Sequence, residues 1–273
     1  MDISVSAIVV SHNSENVLPR CFDSLLNQTH QLRQILLVDS GSDNPRYLRI
    51  YQDIPTVTVI ETENIGFAQA NNRGFTQRPQ DTDFVLFLNP DAFISPSFIE
   101  KAVASMLAHP KAGIISGKIL WFDFEHNDIT TIIDSTGIFR RWYGRWYDRG
   151  QGQEDLGQFD HPEEVPAVCG AVMFCRCSAL TEDGAQIVFD PDFILYKEDI
   201  ELSIRMRKNG WQLLYLPSLQ AYHGRGWSKE RSKIPSTLRR LAAGSELLLY
   251  KKHPSPYMVW AILKYILVRF MRF

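Results

Sequence analysis

The sequence predicts an α/β fold with a mostly parallel, Rossmann-like central sheet flanked by helices. Short β-branched or aliphatic runs recur through the first half: "ISVSAIVVS" (3–11), "QILLVDS" (34–40), "TVTVIE" (56–61) and "FVLFLN" (84–89). Stretches with helical spacing separate them, which implies βαβ units. The 273 residues are 45% hydrophobic and 22% charged, enough to bury a sizeable core.

The elements follow in order. "ENVLPRCFDSLLNQ" places Leu18, Phe22, Leu25 and Leu26 on one helical face between the first two strands. "GFAQANNRGFTQ" after Ile65 predicts a second helix. Ser97 to His109 predicts a third, with Ser95 or Ser97 as N-cap and Pro110 beyond its end. Residues 121–165 mix aromatic and basic residues with glycine and read as long loops or hairpins. "VPAVCGAVMFCR" (165–176) returns to strand pattern. "KEDIELSIRMRKNGW" opens with acids and closes at Gly210, as a helix dipole and C-cap prefer. "WQLLYLP" is a last strand, "AYHGRGWSKERSK" a basic loop after it, and two helical stretches finish the chain. No repeat or low-complexity linker interrupts this order. One domain over residues 1–233 with a C-terminal helical appendage over 234–273 is the simplest division.

The start "MDISVSAIVV" lacks a basic n-region, so no signal peptide is expected. No apolar run reaches about 18 residues, so no spanning helix is expected either. Cys21, Cys169, Cys175 and Cys177 form no CxxC pair and read as reduced structural thiols. The net charge of −2 is uneven: from Lys229 onward ten Lys or Arg oppose two Glu, leaving −2 − 8 = −10 for the rest. A basic tail on an acidic body points to an anionic partner. The closing "MVWAILKYILVRFMRF" favours a membrane over nucleic acid. Its Lys264, Arg269 and Arg272 spread over roughly 140° of a helical wheel, which suits a helix in the membrane interface with basic groups at the headgroups. Docking on the protein's own core or on a second subunit is the competing account.

In a parallel sheet, ligands bind outside the carboxyl ends of the strands. The first strand ends at Ser11, His12 and Asn13, the second carries Asp39, and the fourth ends at Asn89, Pro90 and Asp91. A carboxylate at such an edge accepts a base or ribose hydrogen bond, or holds a hard divalent cation. Asp39 within Asp-Ser-Gly-Ser is equally good turn chemistry, and Asp91 precedes a helix start. "ENIGFAQANNRG" (63–74) offers backbone N–H groups at a loop-to-helix junction, without a dinucleotide or P-loop fingerprint. Glu198 and Asp199 open a helix, where acids are favoured by the dipole, and one of them is a candidate general base. Glu201 and Arg205 read as an ordinary i,i+4 pair. His223, in the loop after the last strand, is a candidate metal or diphosphate contact. Arg225, Lys229 and Arg231 nearby either screen a polyanion or are simply solvated.

Taken together, "SAIVVSHN", "ILLVDSGSD", "NIGFAQANNRG", "FLNPDAFI", "CGAVMFCR", "LYKEDIELSIRMRKNGW" and "AYHGRGWS" occur in an order that resembles the inverting GT-A-fold glycosyltransferases of family 2. The series is most similar to bacterial rhamnosyltransferase-type enzymes of surface polysaccharide assembly, and covers residues 3–233. The resemblance implies a nucleotide-sugar-binding half (1–120) and an acceptor and catalytic half (121–233). It places Ser11 and Asn13 in the nucleotide pocket, with Asp39 accepting from the base. Asn64, Gly66, Ala68 and Asn72 lie along the nucleotide and sugar, and Arg225 on the donor. Asn89-Pro90-Asp91 stands where the family has Asp-x-Asp, so the first carboxylate is an amide here. Asn89 would then contact the ribose or a coordinated water, Asp91 and His223 hold Mg²⁺ or Mn²⁺ at the donor, Asp199 act as base and Glu198 assist it.

The implied reaction moves a sugar, L-rhamnose from dTDP-L-rhamnose first of all, to a hydroxyl of a saccharide or lipid-linked acceptor. The setting is the cytoplasmic face of the plasma membrane, with no nucleic acid involved. A UDP-hexose, UDP-N-acetylhexosamine or UDP-galactofuranose donor is the alternative within the family. Outside it stand a sugar nucleotidyltransferase and a non-catalytic binding module. The first lacks its Gly-rich loop in "SHNSENVLP", and the second is opposed by the retention of Asp91, Asp199 and His223.

Overall fold

A computed structural model describes residues 3–181, 187–224 and 235–270. Arg225, Lys229, Arg231 and Arg272 lie outside the described residues. Strand β1 (Val5–Ser11) is buried at every position. Its alternate side chains feed two cores, Val5, Ala7 and Val9 on one face and Ile8 and Val10 on the other. A strand covered on both faces reads as a continuous apolar run, as this one does. It pairs in parallel with β2 (Gln34–Ser40) and β4 (Phe84–Leu88), and β2 pairs in parallel with β3 (Val57–Thr62). Helix α1 (Leu18–Leu26) buries Leu18, Cys21, Phe22 and Leu25. A 3₁₀ turn (Pro45–Leu48) and short α2 (Arg49–Gln52) link β2 to β3, and α3 (Phe67–Gln77) links β3 to β4.

Short β5 (Ala92–Ile94) leads into α4 (Phe98–Ala108). Ser97 sits at its N-cap without a side-chain capping bond; the Phe98 N–H donates instead to the Ser95 carbonyl at 3.0 Å. Two hairpins follow, β6 (Ala112–Asp123) with β7 (Asp128–Ser135), and β8 (Ile138–Arg140) with β9 (Trp146–Asp148). The expectation of hairpins in residues 121–165 is met. After β10 (Glu163–Glu164), β11 (Val172–Arg176) and α5 (Cys177–Leu180) come α6 (Glu198–Lys208) and β12 (Gln212–His223). Helices α7 (Ser236–Lys252) and α8 (Met258–Phe270) close the described chain.

The main sheet runs β10-β12-β6-β11-β4-β1-β2-β3. Strand β11 is antiparallel to both β4 and β6, and β6 is parallel to β12. Hence β1, β2, β4, β6 and β12 all point the same way, and their carboxyl ends share one edge. The strand expected over 165–176 begins only at Val172. Residues 165–171 are a mostly buried segment tied by Val165 N–H to Leu213 (2.9 Å) and by Ile138 N–H to Ala167 (2.8 Å). His223 is the last residue of β12, not part of a following loop. Strand β12 survives Pro217 because its pairing with β6 shifts register between Leu216 and Gln220, a bulge that absorbs the missing donor.

The C-terminal helices dock on the domain. Leu249 and Tyr250 of α7 and Ala261 of α8 join the larger core. Lys252 pairs with Asp190 (2.6 Å) and Asp192 (2.5 Å), and His253 with Glu201 (3.2 Å). Glu201 is therefore more than half of a surface pair with Arg205: its side chain is 4% exposed and shared between Arg205 and His253. Lys264 departs from the expected outward position. It turns inward to bond Glu246, whose side chain is 1% exposed, because a buried carboxylate requires a partner. All four cysteines are free and buried, as structural thiols.

Candidate active site

Beyond β4 the Asn89 N–H donates to the Ala171 carbonyl at 3.0 Å, and the Ala92 N–H returns to the Asn89 carbonyl at 3.1 Å. The turn between them passes through Pro90 and sets Asp91 at the sheet's carboxyl edge. Strand β5 then pairs with the end of β12, Ala92 opposite His223. That register brings the imidazole to the carboxylate: His223 Nε2 lies 3.3 Å from Asp91 Oδ1. The other ring nitrogen, Nδ1, lies 2.8 Å from Asp134 Oδ2 at the end of β7. Burial disfavours a charge on His223, but Asp91 and Asp134 outweigh it and raise its pKa to about 9. Burial pushes the Asp91 carboxyl up, and the His223 charge and hydrogen bond more than reverse this, so its pKa is lowered.

A cavity of about 360 Å³ opens beside this group. Its lining includes Asn89, Asp91 and His223, then Gly170, Glu198 and Asp199, and Trp146, Tyr147 and Asp148 of β9. Helix α6 presents its first turn to it. Asp199 accepts from the Gly170 N–H through Oδ2 at 3.0 Å and from the Ile200 N–H through Oδ1 at 2.8 Å. A Cβ on residue 170 would stand 3.1 Å from the Asp199 Cβ, so glycine permits the approach. Just before the helix, Tyr196 and Lys197 have φ of 69° and 73°, left-handed values unusual outside glycine. Such backbone costs roughly 1–3 kcal/mol per residue and clusters at functional sites. Burial, and then the neighbouring Asp199, raise Glu198 to about 8. Burial likewise raises Asp199, against the pull of Lys197 and the Gly170 hydrogen bond.

The residues of β1 and β2 gather at the same edge. Ser11 Oγ and the Tyr47 hydroxyl are 2.7 Å apart. Asp39 accepts from the Ser42 N–H (3.0 Å), the Ser42 hydroxyl (2.5 Å) and the Tyr47 hydroxyl (3.3 Å). It thus closes the turn that its sequence favours, with about one of a carboxylate's four acceptor positions left over. Asn13, at φ 51°, donates its N–H to the Ser42 hydroxyl oxygen and exchanges bonds with Asp43. Asn64 packs against Gly41, where a Cβ would lie 2.5 Å from the Asn64 nitrogen, and its Oδ1 accepts from Gly66 N–H. Gly66 caps α3 at φ 78°. Ala68 is buried in the second core. Asn72 turns away from this edge: its Oδ1 accepts from Val188 and Phe189 N–H, and its Nδ2 donates to the Phe189 carbonyl. It straps the segment before α6 to α3. None of these residues is among those lining the cavity described above.

Trp146, Tyr147 and Asp148 lie in the aromatic-basic run "RRWYGRWYDR", whose aromatic faces suit either the sugar rings of an acceptor or a packed surface loop, and they line the cavity. Asp134 is a site residue that the sequence motifs do not single out. Nothing in "TTIIDS" marks Asp134, because only the fold of β6 and β7 brings it to His223.

Among the described residues, no three carboxylate, imidazole or thiolate side chains converge as a metal site. Asp91 and His223 do meet at one point, and the buried Asn89 Oδ1 beside them has no hydrogen-bond partner. One carboxylate, an amide oxygen and the His223 imidazole, once it gives up the proton it shares with Asp91, fit a divalent cation whose remaining positions are filled by water or substrate phosphates. The set does not amount to a closed protein cage.

Comparison with known proteins bears on this geometry. Residues 6–184 match the family described as Glycosyl transferase family 2. The chain belongs to that family. Its relatives include the N-acetylglucosaminyl-diphospho-decaprenol L-rhamnosyltransferase of Mycobacterium tuberculosis, 26% identical over 243 residues, 82% of this chain and 77% of that one. The O-antigen biosynthesis protein RfbC of Myxococcus xanthus is 23% identical over 236 residues, 85% of this chain and 18% of that protein. Among solved structures, GalNAc-T7 with UDP, GalNAc and Mn²⁺ aligns with a TM-score of 0.67 at 19% identity. That alignment covers 97% of this family 2 chain but only 54% of the GalNAc-T7 chain. The mannosyltransferase PcManGT from Pyrobaculum calidifontis, in complex with GDP-Man and Mn²⁺, aligns with a TM-score of 0.60 at 16% identity, over 97% of this chain and 70% of that one. At such identities the structural likeness is one of fold, and that fold is GT-A.

Proposed function

We propose that this family 2 chain is an inverting glycosyltransferase that moves L-rhamnose from dTDP-L-rhamnose to a hydroxyl of a lipid-linked saccharide in surface polysaccharide assembly. The observation that carries the reading is the placement of half-buried Asp199, oriented by Gly170 N–H, in the lining of the same cavity as Asp91 and His223. Asp199 takes the proton from the acceptor hydroxyl as its oxygen attacks the anomeric carbon. The bond to the nucleoside diphosphate breaks on the opposite face, so configuration inverts without a covalent enzyme intermediate. The raised pKa of Asp199 strengthens it as a base near neutral pH. Glu198, kept protonated near neutral pH by burial and by Asp199, assists it as a neutral neighbour.

On the donor side, Ser11, Asn13 and the remaining acceptor position of Asp39 face the nucleotide. Asn64, Gly66, Ala68 and Asn72 shape the wall along the nucleotide and sugar, the last two by packing and by holding the 188–189 segment. Asp91 and His223, with Asn89, hold Mg²⁺ or Mn²⁺. Such an ion would neutralise charge on the diphosphate. Arg225 is assigned to the donor by resemblance alone. The rhamnosyl donor and the lipid-linked acceptor rest on the mycobacterial relative's name. A UDP-hexose donor is the second reading, favoured by the UDP-bound fold neighbour. Residues 1–120 form the donor half, 121–233 the acceptor and catalytic half, and 234–273 the segment that places the enzyme on the inner face of the plasma membrane. Among the described residues no helix is long and apolar enough to cross a membrane.

A thermal-shift screen of dTDP, UDP and GDP and their sugars, with and without Mn²⁺, tests the donor. Ligands that bind the native state raise stability by mass action, so dTDP-L-rhamnose should give the largest shift. A larger shift from a UDP-sugar overturns the rhamnosyl assignment, and no shift from any of them overturns the transferase reading.

A further inference from the structure

The β8–β9 hairpin faces two ways. Its strands line the cavity through Ile138, Trp146 and Asp148. Its tip reaches α7 and α8. The Gly144 carbonyl accepts from the Tyr250 hydroxyl at 2.6 Å, and the Tyr143 ring meets the Trp260 ring at 4.9 Å. Trp142 stacks edge-on to Tyr143 at 5.4 Å and is 85% exposed.

Helix α8 is inverted relative to an ordinary surface helix. Val259, Ile262, Leu263, Ile266, Leu267 and Phe270 recur at i, i+3, i+4, i+7, i+8 and i+11, and all are exposed, from 40% to 72%. The opposite face holds buried Ala261 and the Lys264–Glu246 pair. A globular helix normally puts its apolar stripe on the core. Here the outward stripe is continued through Trp260 and Tyr143 to Trp142. Arg140, Arg141, Arg145 and Arg269 surround it, all exposed, and α8 and the hairpin tip carry no exposed carboxylate.

We propose that the hairpin tip and the outer face of α8 form one surface that enters the headgroup region of an anionic bilayer, with Trp142 as a second anchor. The cavity mouth is thereby held at the membrane. This rests on the reading of residues 234–273 as membrane-associating, and adds an anchor from the catalytic domain itself. The charge argues for a bilayer over a second copy: a two-fold contact through the stripe would bring the two arginine rims together. An exposed tryptophan beside arginines suits the interface. The described residues of α8 span about 20 Å at 1.5 Å per residue, and their inner face is docked on the domain through Ala261 and the Lys264–Glu246 pair, which suits a helix lying in the plane of the interface.

The test is co-flotation of the full chain with vesicles of phosphatidylcholine, or of phosphatidylcholine and phosphatidylglycerol in equal parts. The variants are Trp142→Ser, Ile266→Glu and both together. Wild type should float with the anionic vesicles only. Trp142→Ser should lower the bound fraction severalfold, and Ile266→Glu about tenfold or more, with unchanged melting temperatures and nucleotide-induced shifts. Loss with Ile266→Glu but wild-type binding by Trp142→Ser overturns the hairpin anchor and leaves the helix reading standing. Wild-type binding by both variants overturns both. A lipid-independent dimer that Ile266→Glu dissociates would assign the stripe to a second copy and overturn the bilayer.

Discussion

His223 Nδ1 lies 2.8 Å from Asp134 Oδ2, and the two residues are 89 positions apart in the chain. Their side chains are 4% and 3% exposed. The contact fixes the ring so that Nε2 points at Asp91. A buried carboxylate behind an imidazole orients the ring and raises its basicity, and removing such a partner typically costs 10- to 100-fold in metal affinity or activity.

Asp134→Asn should therefore lower transfer about 10- to 100-fold. The Mn²⁺-dependent part of the donor-induced thermal shift should shrink, and the metal-independent part should stay. Equal loss of both parts would make Asp134 a general folding residue.

Asp199→Asn keeps the size and one of the two acceptors, for Gly170 N–H or for Ile200 N–H, while removing the proposed base. Turnover should fall about 10²- to 10⁴-fold, the range of general base catalysis. Donor affinity, read by calorimetry, should stay near wild type. Full turnover in this variant would remove Asp199 from the mechanism.

Gly170→Ala introduces a methyl 3.1 Å from the Asp199 Cβ and 3.3 Å from Oδ2. Those distances are tight, so the carboxylate must move. A turnover loss of about tenfold with unaltered donor binding is expected in steady-state kinetics.

Glu198 gives a stability prediction with a defined sign. Its folded pKa of about 8 exceeds the ordinary value of 4.5, through burial and then Asp199. The folded chain thus keeps a proton that the unfolded chain releases. The stability from the neutral carboxyl is complete below about pH 4.5 and is lost as pH rises through about 8. A tenfold difference in proton affinity between the two states is worth about 1.4 kcal/mol, so the effect is large. Glu198→Gln should flatten the fall in melting temperature between about pH 5 and pH 8.5. An unchanged slope would mean that Glu198 does not titrate in that window.

Much of this architecture is written in local sequence. The apolar runs at 5–11, 34–40, 57–62 and 84–88 are strands, and Asp91 and Glu198-Asp199 stand at the ends of elements whose periodicity is plain. What escaped depends on contacts between distant segments. Pro217 makes β12 look finished, yet a bulge carries it to His223. Asn72 looks like a ligand for the donor until Val188 and Phe189 occupy its amide. Lys264 looks like a headgroup contact until Glu246 is found behind it. Asp134 has no local pattern at all, since pairing of β7 with β6 alone delivers it.

The ties from α7 and its C-cap to the segments on either side of Asp199 bear on how this enzyme can be handled. Ser245 holds the Leu195 carbonyl, Lys252 holds Asp190 and Asp192, and His253 holds Glu201. The C-terminal hairpin is thus scaffolding for the strained turn at Tyr196 and Lys197. Shortening the chain to obtain a detergent-free preparation would unfasten Asp199, the proposed base, along with the proposed membrane surface. Recoding the outward side chains of α8 to polar ones, at full length, is the route that leaves the reaction centre braced.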